Sequence, residues 1–301
     1  MTTFEITPLG RFSLAEAALF GFAHRDEQTF DGTMRLAFCL DDLSGHAGVA
    51  LTCRGSTVHG EVSGLPPGAP PDAVHAQVAR ILSLDVDARG FEQLCTDDPV
   101  LAPVAAAAPG LRPVLFCSPY EAAAWSVLSL RWGRRQARAV RERLCRAHGA
   151  VFDLAGVPTA AFPTPEALLA VESFPGIPEL KLERLHAVAR AALAGVFDLT
   201  RLRERDQAES DAALREVPGI GPFSSALIRI RSTGLTDVLV DSERHLPGIV
   251  VRLYGLDGEV TPAQLAEVAE SWRPYPTWVA VLLRAAADRT VEATDPVPAT
   301  T

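Results

Sequence analysis

Apolar positions alternate with polar ones, or run together with β-branched and aromatic residues, in three stretches near the start of the chain: MRLAFCLDD, AGVALTCR and STVHGEVSG. A period of two marks a half-buried strand. Residues 1–63 therefore read as mostly strand, with turns around Gly45–His46 and Arg54–Gly55–Ser56. A proline-rich loop, Leu65 to Pro71, follows. Asp72 is placed to cap a helix reaching about Leu84, with Val74, Val78, Ile81 and Leu82 on one face.

Beyond Arg112 the spacing of apolar residues becomes helical. Ser118-Pro-Tyr-Glu121 has the form of a capping box with proline in the first turn, and opens a helix through Ala122, Ala123, Trp125, Val127 and Leu128. A second helix begins near Arg134. Thr164-Pro-Glu166 caps another, and Pro178 opens one through Leu180, Leu185, Val188 and Ala192. Thr261-Pro-Ala-Gln264 repeats the capping box, and a last helix covers about 277–287. Strands first and helices afterwards describe an α+β protein. The expected layout is an N-terminal α+β domain over 1–112, an all-helical domain over 113–288 and a disordered tail over 289–301.

Composition narrows the function classes. The 301 residues are 48% hydrophobic and 22% charged, as in a protein with a real core. No apolar run is long enough to cross a bilayer. The start MTTFEITPLGRF lacks the basic and apolar regions of a secretory signal, so the expected location is the cytoplasm. Five scattered cysteines (Cys39, Cys53, Cys95, Cys117, Cys145) form no CxxC or Cys/His cluster. They argue against structural zinc, iron–sulfur or a disulfide framework, and read as small buried hydrophobes.

The formal net charge of −9 counts against binding polyphosphate, but local distribution matters more than the sum. Arg131, Arg134, Arg135, Arg138, Arg141, Arg143 and Arg146 lie in one stretch against the single acid Glu142, and Arg229, Arg231, Arg244 and Arg252 form a second basic run. Lys181 is the only lysine.

The most informative segment is LREVPGIGPFSSALIRIR, residues 214–231. One helix should end at Val217. Pro218 and Gly219 turn the chain, Ile220 plugs the core, Gly221 permits a second turn, and Pro222 starts the next helix where its missing N–H costs nothing. Such a hairpin aims backbone N–H groups at one point, where a phosphate can approach without meeting side chains. Gly219, Ile220, Gly221 and Ser224 are the residues offered to a DNA backbone, without reading its sequence. A tight turn between two helices would use the same letters.

Extended to LREVPGIGPFSSALIRIRSTGLTDVLVDSE, the segment resembles the hairpin and catalytic loop of the helix-hairpin-helix-GPD superfamily of DNA glycosylases. Within it the chain is most similar to the 3-methyladenine DNA glycosylase II (AlkA-type) branch. SPYEAAAWSVLSLRW, FPTPEALLA, FPGIPELKLERLHAVARAALAG and ESWRPYPTWVAVLLR match further segments in order, so the resemblance covers roughly Asp98 to Arg284.

The resemblance implies a monomeric, monofunctional glycosylase that hydrolyses the N-glycosidic bond of a damaged base, alkylated by preference, flipped from duplex DNA. A carboxylate should stabilise the cationic sugar or activate water. Asp237, Asp241 and Glu243 follow the hairpin. The AlkA-type spacing, anchored on Thr236-Asp237-Val238, places Glu243 in the catalytic slot. The spacing of the endonuclease III branch places Asp241 there. Glu243 is favoured, because the other segments match the AlkA branch.

Bifunctional relatives carry a catalytic lysine where this chain has Phe223, so a Schiff base and strand cleavage are not expected. An aromatic pocket would attract a cationic alkylated purine. Phe223, Trp125, Tyr120 and Trp272 are its candidates, with Tyr275 and Trp278 behind them. Leu130 and Arg131 fall where the family inserts a wedge residue into the gap left by the flipped base, with Arg134 beside them for phosphate. No organic cofactor is implied; carbonyls at the hairpin can hold a monovalent cation. Two alternatives stand beside this reading: a protein of the same fold that binds DNA without catalysis, and a glycosylase for oxidised or deaminated bases.

Overall fold

The computed structural model describes residues 2–20, 30–239 and 245–292. The chain opens with β1 (Thr2–Ile6) and a short helix α1 (Leu14–Phe20), then β2 (Met34–Cys39), β3 (His46–Arg54) and β4 (Thr57–Ser63). The strands form one antiparallel sheet in the order β1-β4-β3-β2. Val49 stands opposite both Leu36 and Val62, and all three are buried. The alternation read from the sequence is this inward face. Helix α1 adds to the mostly-strand reading of residues 1–63 a helix it did not place: Leu14, Ala17 and Ala18 bury one face of it against the sheet's core.

Helix α2 (Pro71–Ile81) lies on the sheet through Val74, Val78, Ile81 and Leu82. Its N-cap is Pro70 and Asp72 sits inside the first turn, two residues earlier than the capping reading. Two helices follow that sequence periodicity did not indicate, α3 (Arg89–Asp97) and α4 (Leu101–Ala107). They are short, and Asp98–Pro99 interrupts them.

The rest comprises α5 (Pro119–Ser129), α6 (Arg134–His148), β5 (Val151–Leu154), β6 (Val157–Ala160), α7 (Pro165–Leu169), α8 (Glu179–Leu193), α9 (Leu199–Glu204), α10 (Gln207–Arg215), α11 (Pro222–Thr233), α12 (Leu246–Tyr254), α13 (Pro262–Glu270) and α14 (Pro276–Glu292). Thr164 caps α7, and Thr261 with Gln264 forms the complete box on α13. Ser118 caps α5, but Glu121 does not reach back to it; its carboxylate turns instead to Cys39 N–H and Arg141. Helix α14 runs to Glu292, into residues read as tail; 293–301 lie outside the described residues.

The hairpin β5–β6 corrects the all-helical reading of the second half. Each strand has only four residues, too few for a period-two signal to stand out. Ala155 (φ 51°) and Gly156 (φ 80°) make the two-residue turn whose twist suits a hairpin. Its Phe152 ring fills the space over Gly48 and Gly64, where an added Cβ would come within 2.6 and 2.0 Å of ring atoms. Arg35 Nε donates to Leu154 O (2.9 Å). The hairpin thus docks the helical region onto the sheet.

Among the described residues, three apolar cores result. One lies between sheet and α2. A second gathers α5, α6, α7, α8 and, through Ile228, the middle of α11. The third joins Phe91, Leu101, Val104 and Leu111 to Leu246, Val250, Leu265, Trp272 and α14. Trp272 Nε1 donates to Tyr254 Oη (2.9 Å), which donates to Asp98 Oδ2 (3.1 Å).

Buried arginines pin these layers together. Arg112 donates to the carbonyls of Leu9, Arg11, Ser83 and Val86. Arg80 binds both oxygens of Asp41 at 2.8 Å and the carbonyls of Cys117 and Ser232. Cys39, Cys95 and Cys145 are buried and Cys117 is partly so, as expected of small hydrophobes; Cys53 is exposed, against that expectation. Burial pushes the thiols of Cys95 and Cys145 up to about 12 and about 11, so neither is a ready nucleophile.

Candidate nucleic-acid interface

The hairpin joins α10 to α11. Helix α10 is capped by Asp206, which accepts from Ala208 N–H (2.7 Å), and ends at Arg215, two residues before the expected Val217. Leu214, Val217 and Ile220 are buried in the second core, so the loop hangs from its own apolar residues. Gly219 holds φ +96°, a left-handed conformation that other residues adopt only with strain. A Cβ there would meet Arg184 Cδ at 3.1 Å and Val127 Cγ2 at 3.3 Å.

Gly221 differs from its expected role. It is extended (φ −102°, ψ −176°), so the turn does not demand glycine. A Cβ on it would meet nothing within 4 Å. The missing side chain leaves open space in front of the first N–H groups of α11, where a helix begins with donors to spare.

The two glycines should therefore separate by experiment. Gly219→Ala is expected to cost about 1–2 kcal/mol of stability from left-handed strain. Gly221→Ala should leave the denaturation midpoint unchanged while weakening duplex affinity roughly fivefold, about one lost hydrogen bond. Urea titration and a fluorescence anisotropy titration on one preparation give both numbers.

The second feature is the turn from α5 to α6. Leu130 closes α5 and is 39% exposed; Arg131 is exposed and holds φ +59°. Helix α8 backs both features. Its Lys181 donates to the carbonyls of Leu128 and Leu130, and its Arg184 lies against Gly219. Three residues on a helix place them about 4.5 Å apart along its axis. The projecting turn and the hairpin are thus neighbours.

The arginine run divides by burial. Arg134 and Arg135 are exposed at the start of α6, near Arg131. Arg141 turns inward to Glu121 (2.8 Å) and lies over Phe162, while Arg143 binds Pro175 O and Arg146 pairs with Glu142. The second run is split: Arg229 and Arg231 are 4% and 8% exposed, Arg252 is exposed, and Arg244 is outside the described residues. Arg231 donates to Val114 O (2.8 Å).

The aromatic candidates also divide. Tyr120 is 1% exposed and donates to Pro163 O; Trp272 is wholly buried beside Tyr254; Trp278 packs edge-on against Phe91. All three are core, and Tyr275 leans on Phe91 beside Gly90. Trp125 is half-buried and Phe223 is 50% exposed, on α5 and α11, which pack together.

Of the three acids, Asp237 is engaged by Arg273 (2.8 Å). The chain up to it is fixed from α14: Thr277 N–H donates to Thr236 O (3.0 Å) and its hydroxyl to Val238 O. Asp241 and Glu243 lie outside the described residues; the chain is described again from His245, with Leu246 fully buried. Among the described residues no cluster of histidine, cysteine and carboxylate suits a metal ion, and no helix is long and apolar enough to cross a membrane. Lys181 and Trp132 were absent from the expected site; only the rarity of lysine singled out the first.

No family model matches the chain. It is 28% identical over 209 residues to the "probable bifunctional transcriptional activator/DNA repair enzyme AlkA" of Mycobacterium tuberculosis, covering 66% of this chain and 40% of that protein. The chain thus spans well under half the length of the curated relatives it matches. Among solved structures, the 3-methyladenine DNA-glycosylase from Archaeoglobus fulgidus superposes with a TM-score of 0.75 at 19% identity, over 94% of this chain and 97% of that one. MBOgg1, solved in complex with a low-affinity DNA ligand, gives 0.73 at 18% identity, over 97% of each chain. An 8-oxoguanine glycosylase/lyase from Clostridium acetobutylicum gives 0.66 at 14% identity, over 95% and 96%.

Proposed function

From a fold that is that of the helix-hairpin-helix-GPD DNA glycosylases, with a sequence relationship to AlkA, we propose that this chain is a monofunctional DNA glycosylase of base excision repair. Its substrate is duplex DNA carrying a damaged, alkylated base, and it acts as a monomer. One observation supports this reading above the others: the open backbone at Gly221 lies beside the exposed Leu130–Arg131 turn, with α8 behind both.

The roles follow from what each group can do. Gly219, Gly221 and the first N–H groups of α11, with Ser224, meet phosphate. Arg131 and Arg134 add charge, and Leu130 with Arg131 fills the gap left by the flipped base. Trp125 and Phe223 offer ring faces to a cationic base. Glu243, or Asp241 in the alternative register, supplies the carboxylate. Phe223 occupies the position of the strand-cleaving lysine, so the product is an intact abasic strand. Residues 1–112 form the α+β unit and 113–288 the catalytic one. Val217 O and Gly221 O each accept one internal hydrogen bond and keep a second lone pair, so they suit a monovalent cation at the hairpin.

Release of 3-methyladenine or 7-methylguanine from methylated duplex DNA, followed by chromatography of the freed base, tests the reading. The expected result is base release without strand scission until alkali is added. An 8-oxoguanine duplex runs in parallel, because 8-oxoguanine enzymes share the fold. Duplex binding with no base released from any lesion overturns the enzyme and leaves a DNA-binding protein.

A further inference from the structure

The lone lysine of the chain sits under the turn proposed to enter DNA. Lys181 Nζ donates to Leu128 O (2.7 Å), in the last turn of α5, and to Leu130 O (3.0 Å), its C-cap, where the helix itself supplies no donor. The same nitrogen stands 3.4 Å from the centroid of the Trp132 ring. One group therefore holds the turn on both sides of Arg131. Arg131, at φ +59°, is in a conformation a side chain adopts only when its surroundings impose it. Trp132 N–H bonds to Ser129 O (3.0 Å), and its ring packs partly buried against the second core, while Leu130 and Arg131 are exposed.

We propose that Lys181 is the positioning residue of the Leu130–Arg131 projection, clamping it by two carbonyls and one aromatic face. It does not touch substrate. This rests on the glycosylase reading, in which the projection fills the gap left by a flipped base, and it adds what keeps the projection rigid. A rigid wedge loses no conformational freedom on entering the stack. Loss of the clamp should thus weaken binding to a duplex with a gap and spare binding to an intact one. Burial and neighbouring Arg184 lower the amine from its ordinary 10.5 to about 8.

Lys181→Met and Lys181→Arg are the test. Without DNA, trypsin cleavage of the exposed Arg131–Trp132 bond, read by mass spectrometry of fragment 1–131, reports the turn itself. Lys181→Met should be cut about tenfold faster than the wild type, the loss of two hydrogen bonds and a cation–π contact. Lys181→Arg, whose guanidinium can donate to both carbonyls and stack on Trp132, should stay near the wild type. With DNA, Lys181→Met should lose about tenfold in affinity for a duplex carrying a tetrahydrofuran abasic analogue, against less than twofold for an intact duplex. Acetylating the wild type, which has one lysine side chain to react, should reproduce both changes.

Equal cleavage in wild type and Lys181→Met overturns the clamp. Faster cleavage with the abasic preference unchanged overturns its link to DNA. A wild type with no abasic preference at all, but with the cleavage difference, sinks the glycosylase reading and leaves the clamp standing.

Discussion

Arg141→Met is expected to destabilise the protein by about 3–5 kcal/mol. Glu121 is 3% exposed on its side chain, and its carboxylate has two partners, Arg141 at 2.8 Å and Cys39 N–H at 3.3 Å. Removing the arginine leaves a buried carboxylate without its ion-pair partner. Burial already raises the Glu121 carboxyl above its ordinary 4.5, with Arg141 opposing; without Arg141 it rises further. The sign of the pH effect follows. A folded-state pKa above the unfolded one means that the folded form holds the extra proton, so stability is lost as pH rises from about 4.5. The deficit of Arg141→Met against the wild type should be small near pH 5 and grow towards pH 8. Urea midpoints at both pH values measure it. Adding Glu121→Gln should recover most of the loss, since a neutral amide is far cheaper to bury than a carboxylate. A deficit that does not change with pH would show that the loss is one of packing.

The largest effect on activity should come from the acids beyond the hairpin. Glu243→Gln is expected to lower single-turnover base release by about 10²–10⁴-fold, the range for removing a group that handles a proton or charge in the transition state. Asp241→Asn should cost much less. Affinity for the abasic analogue should hold within a few fold in both, because neither change alters the hairpin residues proposed to meet phosphate. If Asp241→Asn abolishes release while Glu243→Gln is tolerated, the shorter register is correct and the AlkA-type spacing does not apply.

Most of the fold was legible because its signals are local. The period-two stretches became β2, β3 and β4, and the capping serine and threonines at 118, 164 and 261 begin helices where expected. What escaped depends on distant partners. The strands β5 and β6 are set by the glycines at 48 and 64, about a hundred residues earlier, that leave room for Phe152. Helices α3 and α4 carry apolar faces that make sense only against α14.

The candidate site divides in the same way. The hairpin could be read because Pro-Gly-x-Gly-Pro dictates its own backbone. Burial could not be read from aromatic identity, so Tyr120 and Trp272 went to the core and left Trp125 and Phe223. Nor could it be read from charge: Arg229 and Arg231 sit inside, and Lys181 works on carbonyls of another helix.

The third core has a consequence for the order in which the molecule can be made. Asp98 meets Tyr254 across 156 residues of chain. At a synthesis rate of about 5–20 residues per second, the α3–α4 segment emerges roughly 8–30 s before Tyr254 of α12, and α14 comes later still. Through that interval Phe91, Cys95, Leu101 and Val104, all buried in the finished protein, wait without their wall. The sheet and α2 can collapse early on contacts of their own, whereas this segment stays a sticky, half-finished surface. Aggregation of a nascent or truncated chain should therefore begin at α3–α4, and truncation before α12 should be more harmful to solubility than truncation before α2.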